Sequence, residues 1–178
     1  DGCFNASAFM AASRSSAGTI TISGGDGGDD TNLDALETVT TIEASLTIDG
    51  DDVDTSGLRN VTAILGDVNV EGDAAEAFGV DASSLALIDV DLVISDVEGG
   101  VIDGYTALQS IGHDLRIRNT ANISFGSETF GHLHDANAAP PGIGDKVLLD
   151  NDDNATCNTV SNLTAKAVNG ATVNGSSC

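Results

Sequence analysis

The amino-acid sequence predicts a mainly β fold: a short parallel β-solenoid whose coils of 22–24 residues lie between non-repeat N- and C-terminal caps. Three observations support this fold. Apolar residues recur four times with one spacing, the chain is rich in Gly and Asp, and aromatic residues make up only 3% of it. A period of this length is typical of solenoids, in which stacked coils share one continuous core.

The repeat places apolar residues at offsets 0, +3, +6, +10 and +12 from the start of each coil. Its four copies are Leu36, Val39, Ile42, Leu46, Ile48; Leu58, Val61, Ile64, Val68, Val70; Ala82, Leu85, Ile88, Leu92, Ile94; and Tyr105, Leu108, Ile111, Leu115, Ile117. Alternation at the last two offsets predicts a strand, or rung, with both residues inward and the residue between them outward. The predicted outward residues are Thr47, Asn69, Val93 and Arg116. Stacked coils would align these rungs in a parallel sheet.

The first three offsets have the spacing of a helical turn. The segment is short and rich in Val, Ile and Thr, so we predict an extended or 3₁₀-like side of the coil instead of an α-helix. Turn residues follow every rung, as expected where a coil changes direction. These pairs are Asp49-Gly50, Glu71-Gly72, Ser95-Asp96 and Arg118-Asn119.

The chain divides into three parts. Residues 1–32 are predicted to be an N-terminal arm or cap that includes a first strand, since Thr19-Ile20-Thr21-Ile22 alternates and is β-branched. Residues 33–120 hold the regular coils. Residues 121–178 are predicted to hold degenerate coils, an insertion loop at 132–144 and a C-terminal cap. Within this last part Val147-Leu148-Leu149 resembles another rung, and Val160, Leu163, Val168 and Val173 are thinly spaced apolar positions. The pattern leaves open whether the coils end near residue 120 or continue to about 175.

The chain carries a net charge of −22, from 28 acidic residues against 6 Lys and Arg. Binding to nucleic acid needs a basic surface, so nucleic acid is excluded as a partner. The same charge argues against docking on anionic membranes, and no apolar run is long enough to span a bilayer. Screening by salt or divalent cations would suit such a chain.

Two features point to an extracellular or cell-surface location. Six Asn-x-Ser/Thr sequons, at Asn5, Asn60, Asn122, Asn154, Asn162 and Asn174, predict covalent N-glycans. Cys157 and Cys178 bracket the last segment, so a bridge between them would fix the terminus, and Cys3 would remain for an intermolecular bond. Pairing of Cys3 with either of the others stays open. Because the chain begins at Asp1, we expect a targeting segment to have been removed.

Two stretches of the repeat, Leu58–Gly72 and Leu108–Asn119, resemble the receptor L-domain repeat, a relative of the leucine-rich repeat. The resemblance covers about residues 33–120, and Gly66 and Gly112 keep the glycine of its pattern. It implies a short right-handed β-solenoid that is extracellular and has no enzymatic activity. The family offers no catalytic residues to transfer, and the Cys-rich modules of animal receptors are missing from this sequence.

The strongest candidate metal site is the set Asp49, Asp51, Asp52 and Asp54, because calcium takes six to eight oxygen ligands that closely spaced carboxylates can supply. Sparser sets lie at Asp26, Asp29 and Asp30 and at Asp150, Asp152 and Asp153. His132 and His134 have the spacing of a metal pair, but without a third nitrogen or sulfur ligand we interpret them as surface residues. No catalytic motif is present, so no catalytic residues and no cofactor other than calcium are predicted.

These observations lead to two hypotheses of function. The first is a non-enzymatic secreted structural glycoprotein, a self-assembling subunit of an extracellular filament or surface coat, whose main partner is a second copy of itself. The alternative is an L-domain-like adhesin or receptor ectodomain that binds a protein or a glycan. Bare ends of the solenoid would favour polymerisation, and a bare lateral face would favour ligand binding.

Overall fold

The computed structural model describes residues 18–23, 31–32, 36–50, 53–72, 74–97, 101–120, 124–150 and 155–178. These residues form a mainly β fold, a parallel β-solenoid, which confirms the predicted fold class. Among them, no helix is both long and apolar enough to cross a membrane.

The described strands are short and follow one another along the chain with few helices between them. In chain order they are β1 (Thr19–Ser23), β2 (Thr31–Asn32), β3 (Thr41–Ile42), β4 (Ser45–Asp49), β5 (Val53–Asp54), β6 (Ala63–Ile64), β7 (Val68–Glu71), β8 (Leu87–Ile88), β9 (Leu92–Ser95), β10 (Val101–Ile102), β11 (Ser110–Ile111), β12 (Leu115–Arg118), β13 (Ser124–Phe125), β14 (Val147–Asp150), β15 (Ala171–Val173) and β16 (Ser176–Ser177). The helices are α1 (Ala74–Asp81) and the single turn α2 (Ser161–Thr164), with a 3₁₀ turn at Ser56–Leu58.

The rungs stack in one long sheet with the order β1-β4-β7-β9-β12-β14-β15-β16. All neighbours pair in parallel except β15 and β16, which form an antiparallel hairpin. The strands β3, β6, β8 and β11 form a second, four-stranded parallel sheet, and single bridges at Ile143 and Ala167 extend its ladder. The pairs β2–β5 and β10–β13 complete the described pairing.

The core is the stack of repeat positions. All twenty apolar residues of the four predicted copies are buried, with exposed fractions of 4% or less. In each copy the residue at +3 donates its backbone N–H to the carbonyl of the residue at 0, over 2.7 Å in the first coil (Val39 to Leu36) and 3.2 Å in the fourth (Leu108 to Tyr105). This i→i+3 bond is that of a 3₁₀ turn, so the helical spacing of the first offsets produces one tight turn, as predicted.

The coils continue beyond residue 120. A fifth coil buries Phe130, Leu133, Ile143, Val147 and Leu149, with extra residues inserted between Leu133 and Ile143. A sixth coil buries Val160, Leu163, Ala167, Ala171 and Val173. Val168, one of the thinly spaced apolar positions of the sequence, is 51% exposed, and Ala167 beside it takes the inward position.

The turns that end the rungs have a left-handed residue two positions after the last inward residue. Gly50 and Gly72 have φ of 109° and 66°, and Asp96 and Asn119 have φ of 58° and 54°. Gly, Asn and Asp tolerate this conformation best, which explains why these residue types follow the rungs.

The helix α1 is an element that the repeat pattern does not predict. It occupies the connection between the second and third coils and buries Phe78. The hydroxyl of Thr55, itself buried, donates to Asp81 Oδ2 over 2.7 Å and fixes the C-terminal end of the helix. Gly79 allows the close approach of the next coil, since a Cβ there would lie 2.6 Å from the carbonyl oxygen of Asp103.

Candidate functional site

The N-terminal strand β1 is the first strand of the long sheet and pairs with β4 alone among the described strands. The backbone N–H of Ser45 donates to the carbonyl of Gly18 over 3.1 Å. Along a strand, successive residues direct their N–H and C=O to opposite edges, so those of Ile20 face β4 and those of Thr19 and Thr21 face the other edge. We call this second edge, at Thr19 and Thr21, the open edge.

The open edge is held rigid by the core beneath it. Ile20 and Ile22 are buried, at 7% and 3% exposure, while Thr19 and Thr21 are exposed. All four side chains are β-branched, which favours the extended conformation over any alternative. In the part of the chain that is described, no strand pairs with the edge at Thr19 and Thr21, and a strand edge of this kind is a template for pairing with another strand.

The C-terminal end of the sheet is built differently. The strand β15 turns through Asn174 and Gly175, both with positive φ, into the two-residue strand β16. A disulfide joins Cys157 to Cys178, as the sequence predicts, and the N–H of Cys178 donates to the carbonyl of Ala171 over 2.8 Å. Cys3, the predicted intermolecular cysteine, lies outside the described residues. The bridge therefore tethers β16 at the very end of the chain.

A column of polar side chains runs up one margin of the long sheet, immediately before each rung. The N–H of Asp91 donates to Asp67 Oδ1 over 3.3 Å, that of Asp114 to Asp91 Oδ1 over 3.0 Å, and that of Lys146 to Asp114 Oδ1 over 3.0 Å. Each carboxylate thus accepts a backbone hydrogen bond from the coil above it. The column links successive coils and places several negative charges close together.

Arg116 is the cation nearest this column. Its guanidinium donates to Asp114 Oδ2 over 2.8 Å and lies 3.4 Å from Asp91 Oδ2 in the preceding coil. The hydrogen bond to Asp114 raises the pKa of Arg116 above its usual value, and the nearby carboxylates add to the rise. Arg116 is exposed on the outer face of the rungs, as predicted, whereas Val93 beside it is only 9% exposed.

Two members of the predicted calcium set lie in the described residues. Asp49 is exposed at the end of β4, and Asp54 in β5 accepts the N–H of Ser56 over 2.9 Å. Hydrogen bonds from Ser56, side chain and backbone, hold the pKa of Asp54 below its ordinary value. Asp51 and Asp52 lie outside the described residues, as do Asp26, Asp29 and Asp30 and the pair Asp152 and Asp153. Within the part of the chain that is described, no group of three or more His, Cys, Asp or Glu is placed to hold a metal ion.

Three of the six predicted glycosylation sites are described, and all three are exposed. Asn60 and Asn162 each lie two residues after the first position of a coil, and Asn174 lies in the β15–β16 turn. The Nδ2 of Asn60 donates to the carbonyl of Glu37 over 2.7 Å. Asn5, Asn122 and Asn154 lie outside the described residues. None of the three described sites is on the open edge.

The two histidines of the insertion face different carbonyl groups. Nδ1 of His132 contacts the carbonyl of Thr106, and Nδ1 of His134 lies 3.0 Å from that of Pro140. The ring of His132 therefore ties the insertion to the fourth coil, and the ring of His134 bridges two parts of the insertion itself. This arrangement fits the interpretation of both as surface residues.

Sequence reasoning missed the carboxylate column and a groove at the fifth and sixth coils, which lies between residues 124–131 and residues 156–166. The column was detectable, since Asp67, Asp91 and Asp114 all occupy offset +9 of the repeat. The groove was not detectable. The insertion in the fifth coil and the small alanine side chains at inward positions of the sixth coil obscure the alignment of these coils with the regular ones.

Comparisons with protein-family models, with curated proteins and with solved structures found no match to this chain. The solenoid is therefore established by the strand pairing itself, and the resemblance to the receptor L domain rests on the repeat spacing.

Proposed function

We propose that this protein is a non-enzymatic, secreted structural glycoprotein that assembles with copies of itself into an extracellular filament or surface coat. The observation that carries the proposal is the open edge of β1 at one end of an eight-stranded sheet. The predicted sequons and the Cys157–Cys178 disulfide support an extracellular setting, where disulfides persist.

The two ends of the sheet offer unlike strands for contact. The open edge presents the backbone groups of Thr19 and Thr21, and β16 is the last strand at the opposite end. Contact between β1 of one copy and β16 of the next is heterologous, and heterologous contacts that do not close into a ring give open filaments. Main-chain pairing of this kind supplies affinity without requiring an apolar patch.

Electron microscopy of natively purified protein tests the proposal. Filaments are expected, with an axial repeat of about 38 Å per subunit, because eight strands spaced about 4.8 Å apart form one continuous ladder. Only dispersed particles in native salt would overturn the proposal and favour the ligand-binding ectodomain.

A substitution in β1 can block pairing at the open edge without disturbing the fold. Thr21→Pro removes the N–H that faces the open edge while keeping the bonds of Ile20 and Ile22 to β4, since proline is tolerated where the missing N–H faces outward. We expect this variant to stay folded and lose filament formation. Thr21→Val keeps the N–H and is expected to assemble as the natural chain does. Equal assembly of both variants would contradict pairing through the open edge.

The charge of −22 must be screened before copies approach each other. We propose calcium as one source of screening, bound by the aspartates of the 49–54 segment. Adding a chelator of divalent cations during microscopy tests this part separately. Loss of filaments on chelation supports it, and unchanged filaments assign the screening to salt or glycans.

A further inference from the structure

The described residues enclose a groove of about 620 Å³ at the side of the fifth and sixth coils. Two segments form its walls. One runs from Ser124 to Gly131 after the start of β13, and the other runs from Thr156 to Lys166 through α2. Its volume lies within the range of about 300–1,000 Å³ that is usual for small-molecule sites.

The groove is close to neutral in a strongly acidic chain. Among the described residues that line it there is no Asp or Glu, although the chain has 28 of them. The charged residue of this described lining is Lys166, whose Nζ donates to Asp135 Oδ1 over 2.9 Å. In the described lining the one cation is paired and no carboxylate is present, so this lining is suited neither to metal ions nor to strongly charged ligands.

Its floor is aromatic and fixed in place. Phe125 is half-buried and packs edge-on against Phe130, with ring centroids 5.9 Å apart. Phe130 is buried and stacks on Tyr105 with centroids 5.1 Å apart. Burial raises the pKa of Tyr105 well above its usual value, so this supporting ring stays neutral. The exposed part of Phe125 is thus a rigid apolar surface inside the groove.

The walls carry hydroxyl and amide groups. Thr129 Oγ1 donates to the carbonyl of Ile102 over 3.0 Å, and Thr159 Oγ1 accepts the N–H of Thr156 over 3.2 Å. The side chains of Ser127 and Asn158 also line the groove and make no hydrogen bond within the described part of the chain, and Asn162 on the same wall is one of the predicted glycosylation sites. Donors and acceptors are therefore available around the aromatic floor.

We infer that this groove binds a neutral oligosaccharide. A sugar ring combines an apolar C–H face, which packs on an aromatic ring, with hydroxyl groups that both donate and accept hydrogen bonds. The aromatic floor complements the C–H face of the sugar, and the uncharged polar walls complement its hydroxyl groups. The inference goes beyond the proposed assembly, since the groove can bind a saccharide whether or not the chain polymerises. The saccharide has two sources, an N-glycan of this protein or a free polysaccharide.

Calorimetry with neutral chito- and manno-oligosaccharides tests the inference on the full chain, before and after enzymatic removal of its N-glycans. We expect the deglycosylated chain to bind, and Phe125→Ala to weaken binding about tenfold or more. The double variant Ser127→Ala/Asn158→Ala, which leaves the core untouched, is expected to weaken binding as well. Phe125→Tyr should keep it, and Leu65→Ala, a change at an exposed apolar residue of the second coil, should have no effect.

The two glycosylation states distinguish the sources. Binding only after deglycosylation assigns the groove to an N-glycan of this protein, and equal binding before and after assigns it to a free saccharide. The inference is overturned if the deglycosylated chain binds none of these oligosaccharides at millimolar concentration. It is equally overturned if Phe125→Ala and the double variant both bind as the natural chain does.

Discussion

The two ends of the long sheet are built from different edge strands. At the C-terminal end the chain folds back as the β15–β16 hairpin, and the Cys157–Cys178 disulfide tethers the last residue. At the N-terminal end β1 is a straight strand that ends the described pairing, with Thr19 and Thr21 facing outward. The comparison indicates that the hairpin and the disulfide hold β16 in place within the chain, whereas β1 carries the open edge that would pair with β16 of a second copy.

The largest effect should come from breaking the scaffold that joins the two ends. In Gly112→Ala the new Cβ would lie 1.9 Å from the carbonyl oxygen of Asp89, in the backbone of the preceding coil. Stacked coils cannot separate without losing core contacts, so we expect a loss of about 4 kcal/mol in the free energy of unfolding, measured in urea.

Gly170→Ala, at the C-terminal end, is the matched control. A Cβ at Gly170 meets no atom within 4 Å, and only its φ of 76° disfavours alanine. We expect this control to cost about 1 kcal/mol. Equal losses in the two variants would show that the close stacking at Gly112 does not limit stability.

Removing the disulfide should loosen the C-terminal end alone. The bridge closes a loop between residues 21 apart, and the double variant Cys157→Ser/Cys178→Ser is expected to lose about 3 kcal/mol by calorimetry. Hydrogen exchange should become faster in β15 and stay unchanged in β4. A uniform increase across all rungs would contradict the idea that the ends are stabilised independently.

The smallest expected effects are changes in Tm caused by replacing single carboxylates whose pKa is lowered by folding. Hydrogen bonds from Ser56 lower the pKa of Asp54 from its ordinary value of 3.8. A carboxyl group whose pKa is lowered by folding stabilises the fold above its ordinary pKa, and this contribution is lost as the pH falls through the lowered value. Asp54→Asn should therefore give a slightly lower Tm at neutral pH and a flatter fall in Tm with acid.

Asp135→Asn removes the exposed ion pair between Asp135 and Lys166. The hydrogen bond and charge of Lys166 lower the pKa of Asp135, which is exposed. Salt screens an exposed ion pair more than it weakens a hydrogen bond to the backbone. We expect high salt to erase the effect of Asp135→Asn on Tm and to leave that of Asp54→Asn. The same salt response in both variants would argue against these different causes.

The regular coils were predictable from sequence because each core position repeats with the same spacing. Burial of the residues at offsets +10 and +12 fixes the register, since a slip of one residue would turn every apolar side chain outward. The turn residues were predictable for a similar reason: Gly50 and Asn119 occupy a backbone conformation that few other residue types tolerate.

The remaining elements depend on contacts that are distant in sequence. The helix α1 lies between two copies of the repeat, and its buried Phe78 matches no offset. In the sixth coil the inward positions include Ala167 and Ala171, whose small side chains give little periodic signal. The alternation of Thr19 to Ile22 predicted β1, but its place at the end of the sheet follows only from the order in which all the rungs stack.

The most direct test of the open edge is hydrogen–deuterium exchange at single amides of β1, quenched and read by NMR, in dispersed and in assembled protein. We predict that the Thr21 N–H exchanges rapidly when the protein is dispersed and becomes protected on assembly. The Ile20 and Ile22 N–H groups, bonded to β4, should be protected in both states. Equal protection of Thr21 in both states would show that the chain covers its own edge. Equal exposure in both would show that assembly does not use this edge, and either result would contradict assembly through the open edge.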